Sequence, residues 1–490
     1  MTFLYRTQDI LKIEGAVSCS NDASYLMKKA GAAAWKLLQS TWPDAQTIVV
    51  YCGGGNNAGD GYYLAACGMQ QNKNICVVAL TAIDDLTDIA KVAALHAVNA
   101  GVTIYSLEEY YACGINADVI VDAILGIGCN RKVVGNYAAA IADINKSNAS
   151  VLSIDVPSGL NADTGEIYND AICADVTITF LAAKIGCYVD KGIELSGRVI
   201  IESLCDLDID SIEPHALLMQ KDTLPELLPK RLRNTHKGDF GHVLVIGGDY
   251  GMGGAVRMAA EAAMRVGSGL VTVATRPEHI NIVVGARPEI MCNQIDSADQ
   301  LTPLIDRATV IVIGPGLGQS PWAESLFELA CKSNLPIVID ADGLNLLSQH
   351  PVKIEKCIIT PHPGEAARLL GSTVEKVQSD RYLSVNNLQQ KYSDVAILKG
   401  AGTLVKTHDQ VIALCAAGNP GMATGGMGDV LSGVIGGLLA QNYSLQDAAQ
   451  IGVLIHSMAA DQAAEQDGER GLLASDVLQL LRPLVNPDDS

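Results

Sequence analysis

The 490 residues, 49% hydrophobic and 18% charged, are more than one hydrophobic core usually serves, so two or three globular domains are expected. The excess of 54 acidic over 34 basic residues, a net charge of −20, excludes nucleic acid and anionic membranes as partners, because phosphate backbones call for clustered Lys and Arg. Thirteen scattered cysteines with no C-x-x-C pair, no apolar run long enough to span a bilayer and no signal-like N-terminal stretch point to free thiols in the cytoplasm.

Along the chain, short β-branched runs alternate with Ala- and Leu-rich helical stretches, the pattern of mostly parallel α/β sheets. Strands are expected at 47–52, 74–80, 117–122, 151–156 and 176–181, then at 242–248, 270–275, 310–314, 336–340, 357–360 and 396–400. Between the two sets, the polar, proline-bearing stretch 205–231 has no clear strand, and the boundary is placed at 218/219. The tail 486–490 is expected to fray.

After the strand at 47–52 comes the run Gly53-Gly54-Gly55-Asn56-Asn57-Ala58-Gly59-Asp60-Gly61, with a helix expected from Tyr62. Glycines at a strand-to-helix turn let the backbone approach a phosphate. Asp122, Asp155 and Lys184 sit at the ends of further strands, where ligands of open parallel sheets bind. Asp155 and Lys184 form a possible acid/base pair, and Asn57, Asp122 and Ser158 supply hard oxygens suited to a cation.

The order GGGNNAGDG, DAILGIG, SIDVPSGLNADTG and TFLAAKIG resembles the YjeF N-terminal domain, the family of the NAD(P)HX epimerases. The resemblance covers about residues 5–205 and implies a Rossmann-like three-layer αβα domain. It implies contact of the hydrated nicotinamide nucleotide with Asn56, Asn57, Ala58, Gly59, Asp60, Gly126, Ile127, Gly128, Cys129, Asn130, Arg131, Lys132 and Asp155. It further implies potassium on Asn57, Asp122 and Ser158, and proton transfer by Lys184 with Asp155. Ala58 stands where the family usually has Gly, and Lys28-Lys29 where an acidic residue is common.

In the second half, glycine-rich turns again follow strands, and the stretch 419–441 carries Gly425-Gly426-Met427-Gly428-Asp429 before one apolar helical face. The helix is expected to start near Asp429, its free amides forming an anion cradle. An N-cap role explains an Asp there, but not the three glycines before it; a base that accepts a hydroxyl proton during phosphoryl transfer explains both. His456, on an apolar helix, is expected to be a core or interface histidine.

The G-G-M-G-D run resembles the anion-hole-plus-base motif of ribokinase-like kinases, and TPHPGE has His362 where those kinases carry Asn before the retained Glu365. Over about 225–485, HKGDFGHVLVIGG, GPGLG, DADGLN, TPHPGE, KGAG and GNPGMATGGMGDVLSG together resemble the ADP-dependent NAD(P)H-hydrate dehydratases. That implies a ribokinase-like domain over 219–490. Ala255, Gly316, His362 and Asp429 would contact the hydrated dinucleotide, and Lys399, Gly400, Ala401, Gly402, Thr403 and Gly428 the nucleotide cosubstrate. The two resemblances together imply a bifunctional repair enzyme, with ADP cleaved to AMP and phosphate, Mg2+ and K+ as cofactors, small-molecule partners only and a homo-oligomeric state. The alternative is a small-molecule kinase fused to a non-catalytic YjeF-like binding module.

Overall fold

The computed structural model describes residues 2–18, 24–205, 212–408 and 410–487. Part of the connecting stretch, 206–211, and the last three residues of the tail lie outside these. The chain divides into two compact units, Phe3–Ala216 and Leu217–Ser490.

In the first unit, seven parallel strands form one sheet: β2 (Thr47–Cys52), β3 (Asn74–Ala79), β4 (Thr103–Ser106), β5 (Val119–Ala123), β6 (Ser150–Ile154), β7 (Val176–Phe180) and β9 (Arg198–Glu202). Their order, β4-β3-β2-β5-β6-β7-β9, reverses direction between β2 and β5. That is the topological switch point, where a crevice opens at the carboxyl ends of the strands. The inner strands are buried on both faces and read as continuous apolar runs, as helices on both sides demand. Outside this seven-stranded sheet, β1 (Thr2–Tyr5) pairs in parallel with β8 (Ala183–Lys184), with Tyr5 opposite Lys184.

In the second unit the sheet order is β13 (Met291–Gln294), β12 (Leu270–Thr275), β11 (His242–Ile246), β14 (Val310–Ile313), β15 (Ile337–Ile339), β16 (Cys357–Ile359), β17 (Val395–Leu398), β18 (Thr403–Thr407) and β19 (Ile412–Cys415). The first seven are parallel; β18 then pairs antiparallel with β17, and β19 antiparallel with β18. All the strands expected from the sequence are present, within a few residues at their ends. The strands the sequence reading lacks are short, exposed or edge elements, including β10 (Ala216–Leu218) in the stretch expected to hold none.

The helices used below are α1 (Asn56–Gln70), α2 (Gly253–Arg265), α3 (Pro363–Leu370), α4 (Arg381–Tyr392), α5 (Met427–Ala440) and α6 (Leu445–Asp467). Helices α2 and α5 cross in close contact because small residues face each other. A side chain at Gly433 would meet Ala259 O at 2.0 Å, and one at Gly437 would meet Ala263 O at 2.7 Å. Val430, Leu431, Val434, Ile435, Leu438 and Leu439 are buried as the periodicity requires, which fixes the amino end of α5 over the strand ends.

Candidate active sites

The run after β2 turns into helix earlier than expected. Helix α1 begins at Asn56 rather than after Gly61, with Gly55 as its N-cap. Asn56, Asn57, Ala58, Gly59 and Asp60 are therefore its first turns. Ala58 points into the core, and its helical backbone makes no demand for glycine.

Asp122 is fully buried at the end of β5. Its carboxylate accepts bonds from Ser153 Oγ at 2.8 Å, Ser158 N at 2.9 Å, Ile124 N at 3.2 Å and the Ser158 hydroxyl. Burial raises its pKa against these four bonds, which hold it down. Ser158 Oγ also accepts from Leu125 N at 2.8 Å, and Asn57 Nδ2 donates to Leu125 O at 2.9 Å, so two of the three side chains of the proposed cation set close on the backbone of Leu125. Asn57 Oδ1 is buried with no hydrogen-bond partner. An orphaned buried amide oxygen, drawn through Leu125 toward the serine that Asp122 holds, is a hard donor of the kind a potassium ion takes.

Asp155, after β6, holds a left-handed backbone at φ 71°, a conformation costly for a non-glycine residue and typical of functional sites. Its Oδ1 lies 2.5 Å from Lys184 Nζ, which also donates to Phe180 O at 2.6 Å. Lys184 is 1% exposed and Asp155 15%, so the pair is dry on one side and reachable on the other. Gly126 lies beside both Asn57 and Asp155, since a Cβ there would be 3.4 Å from Asn57 Cβ and 3.5 Å from Asp155 Oδ2. Of the remaining loop, Ile127 is half-buried, Cys129 is buried, and Gly128, Asn130, Arg131 and Lys132 are exposed.

Two further carboxyl groups face this pair. Burial, then Asp155 and Glu14, push Asp60 well up against the opposing Lys184, and burial and Asp155 raise Glu14. Glu14 escapes sequence reasoning because nothing local marks it; its helix, Thr7–Ser18, follows β1, whose register against β8 carries it to Lys184.

The second unit gathers its site at the carboxyl ends of β11, β14, β15, β16 and β17. Gly316 and Ala255 touch: a Cβ at Gly316 would be 3.1 Å from that of Ala255. His362 is the N-cap of α3, where its Nδ1 accepts from Gly364 N at 3.0 Å and Glu365 N at 3.4 Å, while Glu365 Oε2 accepts from His362 N at 2.8 Å. Burial, then Lys399 and Arg368, lower the His362 pKa, so the ring is neutral and keeps its acceptor nitrogen.

Lys399 stands at the centre, 3.1 Å from Asp340 Oδ1 and 3.9 Å from Glu365 Oε2. Burial opposes its charge, but Asp340, Glu365 and Asp429 outweigh that and raise it. Burial also raises Glu365, against Lys399, and pushes Asp429 up to about 7 with Asp340 adding to the effect. A Cβ on Gly428 would come within 3.2 Å of Lys399 Nζ and 3.3 Å of Asp340 Oδ2, an oxygen that is buried and unpartnered. Asp340 opens the DADGLN motif, and its place after β15 was the available signal for it.

Helix α5 starts at Met427, two residues before the expected point. Gly426, at φ +94°, is the N-cap, and no side chain caps the first turn. Asp429 is thus inside the helix and not its cap. That disposes of the capping explanation and leaves a carboxyl beside open amides at a helix terminus, where anions bind. The lead-in is anchored from α6: Asp461 accepts from Gly418 N at 2.8 Å and Asn419 Nδ2 at 2.9 Å. His456 of α6 is buried as expected; burial and then Lys399 lower it to about 4, although it bonds to the Met427 backbone. It is a neutral wall of the site.

Lys399 and Gly428 therefore meet in one place with Asp340, Glu365 and Asp429, while Gly400, Ala401, Gly402 and Thr403 form the loop leaving β17. This is an arrangement for holding a phosphoryl group beside a proton acceptor.

Known proteins resemble both units. A family model described as YjeF-related protein N-terminus matches residues 23–186, and one described as NAD(P)H-hydrate dehydratase matches residues 243–483. The chain is 51% identical over 490 residues to the bifunctional NAD(P)H-hydrate repair enzyme of Coxiella burnetii, covering 99% of this chain and 100% of that one. The enzyme of the same description from Escherichia coli is 42% identical over 464 residues, 94% of this chain and 90% of that one. Among solved structures, a ribokinase-like superfamily protein from Enterococcus faecalis superposes with TM-score 0.52 at 31% identity, over 56% of this chain and 96% of that one. The ADP/ATP-dependent NAD(P)H-hydrate dehydratase of Bacillus subtilis, co-crystallized with ATP/Mg2+, gives TM-score 0.51 at 28% identity over 55% and 98%. With both site architectures present and a relative half identical along its whole length, this chain belongs to the family of bifunctional NAD(P)H-hydrate repair enzymes.

Proposed function

We propose that the chain restores hydrated NADH and NADPH, epimerising the R and S hydrates in its first unit and dehydrating the S hydrate with ADP in its second. The observation that carries this reading is the convergence of Lys399, Asp340 and Asp429 on Gly428 at the open end of α5. A kinase-like site serves a dehydratase because a phosphate leaves carbon far more readily than hydroxide does.

In the first unit, Asn56 to Asp60 and Gly126 to Lys132 bind the dinucleotide. Lys184 gives its proton to the ring hydroxyl as the C–O bond breaks and water departs. Water then adds from the opposite face, losing a proton to the Asp155–Lys184 pair, so no net proton is consumed. Asn57, through its orphaned Oδ1, with Asp122 and Ser158, would hold the potassium ion, which supplies positive charge near the nucleotide.

In the second unit, Ala255, Gly316 and His362 hold the hydrated ring, and Lys399 to Thr403 with Gly428 hold the nucleotide. Asp429 accepts the hydroxyl proton as that oxygen attacks the terminal phosphorus of ADP, and AMP leaves. The phosphate ester then departs as inorganic phosphate while the adjacent ring carbon gives up a proton to that departing phosphate, restoring the ring double bond. Asp340, by its unpartnered Oδ2, and Glu365 would hold magnesium, which neutralises charge on the transferring group.

The free thiols of every described cysteine support work in a reducing compartment, the cytoplasm; that the chain acts on small molecules as a homo-oligomer rests on the family resemblance alone. Among the described residues no helix is long and apolar enough to cross a membrane.

The test mixes both hydrate epimers of NADH with enzyme and ADP and follows NADH absorbance. Complete recovery is expected; recovery of only the S share removes the epimerase, and none removes the whole reading.

A further inference from the structure

The loop Lys399–Thr403 hangs from a side chain that takes no part in the chemistry above. Arg381, the first residue of α4, is 7% exposed, and its guanidinium lies beneath the loop. Nη1 donates to Ala401 O, while Nη2 donates to Leu398 O at 3.4 Å and Lys399 O at 3.5 Å. Three carbonyls within four residues are thereby turned inward onto one planar donor set. Carbonyl oxygens facing outward at this point would repel a phosphate; turned inward, they cannot.

The loop is shaped around that guanidinium. Gly400 has φ +142°, which only glycine adopts readily, and a Cβ there would sit 3.1 Å from Arg381 Nη2. Burying an arginine is costly unless its donors are used, and here both terminal nitrogens are used on the nucleotide loop. Lysine could supply the charge but not the fork that reaches separate carbonyls.

We infer that Arg381 is a positioning residue for the ADP site: it sets the backbone of Lys399–Thr403 in the form that receives the nucleotide. The inference rests on reading that loop as the nucleotide loop.

The test compares full-length Arg381→Lys and Arg381→Met with the wild type, folding being monitored by melting and by the epimerase activity of the first unit. KM for ADP should rise at least about tenfold in both, the equivalent of one or two charge-assisted bonds, with KM for the hydrated cofactor changed by less than about twofold. The lysine variant should be no better than the methionine one. An Arg381→Lys enzyme whose KM for ADP stays within about twofold of wild type overturns the inference, because the charge alone then suffices. If Arg381→Met does not fold, Gly400→Ala takes its place: pressing on the guanidinium, it should give the same selective rise, and an unchanged KM for ADP overturns the inference. A wild-type enzyme that dehydrates without any nucleotide would instead remove the reading of the loop itself, and the inference with it.

Discussion

Asp429→Asn separates catalysis from stability and can be worked out from the site. The side chain keeps its shape and loses the carboxylate. A carboxyl that ordinarily ionises at 3.8 and is pushed up to about 7 resists ionisation once folded. The sign follows from linkage: the unfolded chain loses this proton at lower pH than the folded one, so the penalty is absent below 3.8, grows through the interval and is complete above about 7. The full interval corresponds to roughly 4 kcal/mol at pH 8. Asp429 is only partly buried, and screening reduces this to about 1–2 kcal/mol. For a unit of this size that is a rise of roughly 2–8 °C in melting temperature. Calorimetry of wild type and variant at pH 4, 6 and 8 should show the variant gaining stability as pH rises, while ADP-driven dehydration falls by about 10³-fold or more. Equal melting temperatures at pH 8, or dehydration retained within about tenfold, would refute the reasoning, since either means that Asp429 carries no uncompensated charge or no proton.

Other outcomes follow from the remaining geometry. Lys184→Ala should slow epimer exchange by about 10²-fold or more while leaving dehydration of the S hydrate intact, measured as recovery stalling at the S share; unchanged exchange removes Lys184 from the chemistry. Asn57→Ala, which deletes the orphaned oxygen, should raise the potassium concentration needed for half-maximal epimerase activity by about tenfold, read from a titration against a sodium background. Asp461→Ala unhooks Gly418 and Asn419 from α6 and should cost about 1–3 kcal/mol and raise KM for ADP, seen by melting and initial rates; a variant with wild-type values on both measures removes the anchoring role.

Much of the site was legible because it is local. The glycine runs after β2 and before α5, and the polar residues at the ends of β5, β6 and β16, are set by a strand meeting a turn within a few positions. Such turns need small residues whatever the rest of the chain does. Helix starts lay six and two residues ahead of the expected points because Asn56 and Met427 carry no capping side chain to announce them; their caps are Gly55 and Gly426, which read as loop. Short strands such as β18 and β19 were missed for a related reason, since pairing with a neighbour, not intrinsic pattern, makes them strands.

The sequence by itself determined the two α/β units, the order of their strands along the chain and the glycine-rich motifs that mark a candidate site in each. It could not determine which charges meet. Lys184 and Asp155, Lys399 and Asp340, and Arg381 and the loop below Gly400 are joined only after parallel strands are laid side by side. Glu14 and Asp461 sit on helices with no motif around them, and each reaches its site through contacts made far along the chain. The physical reason is that local propensity acts over a few residues, whereas the burial that raises Asp429, and the lysine that opposes it, arise from packing between β17 and the amino end of α5.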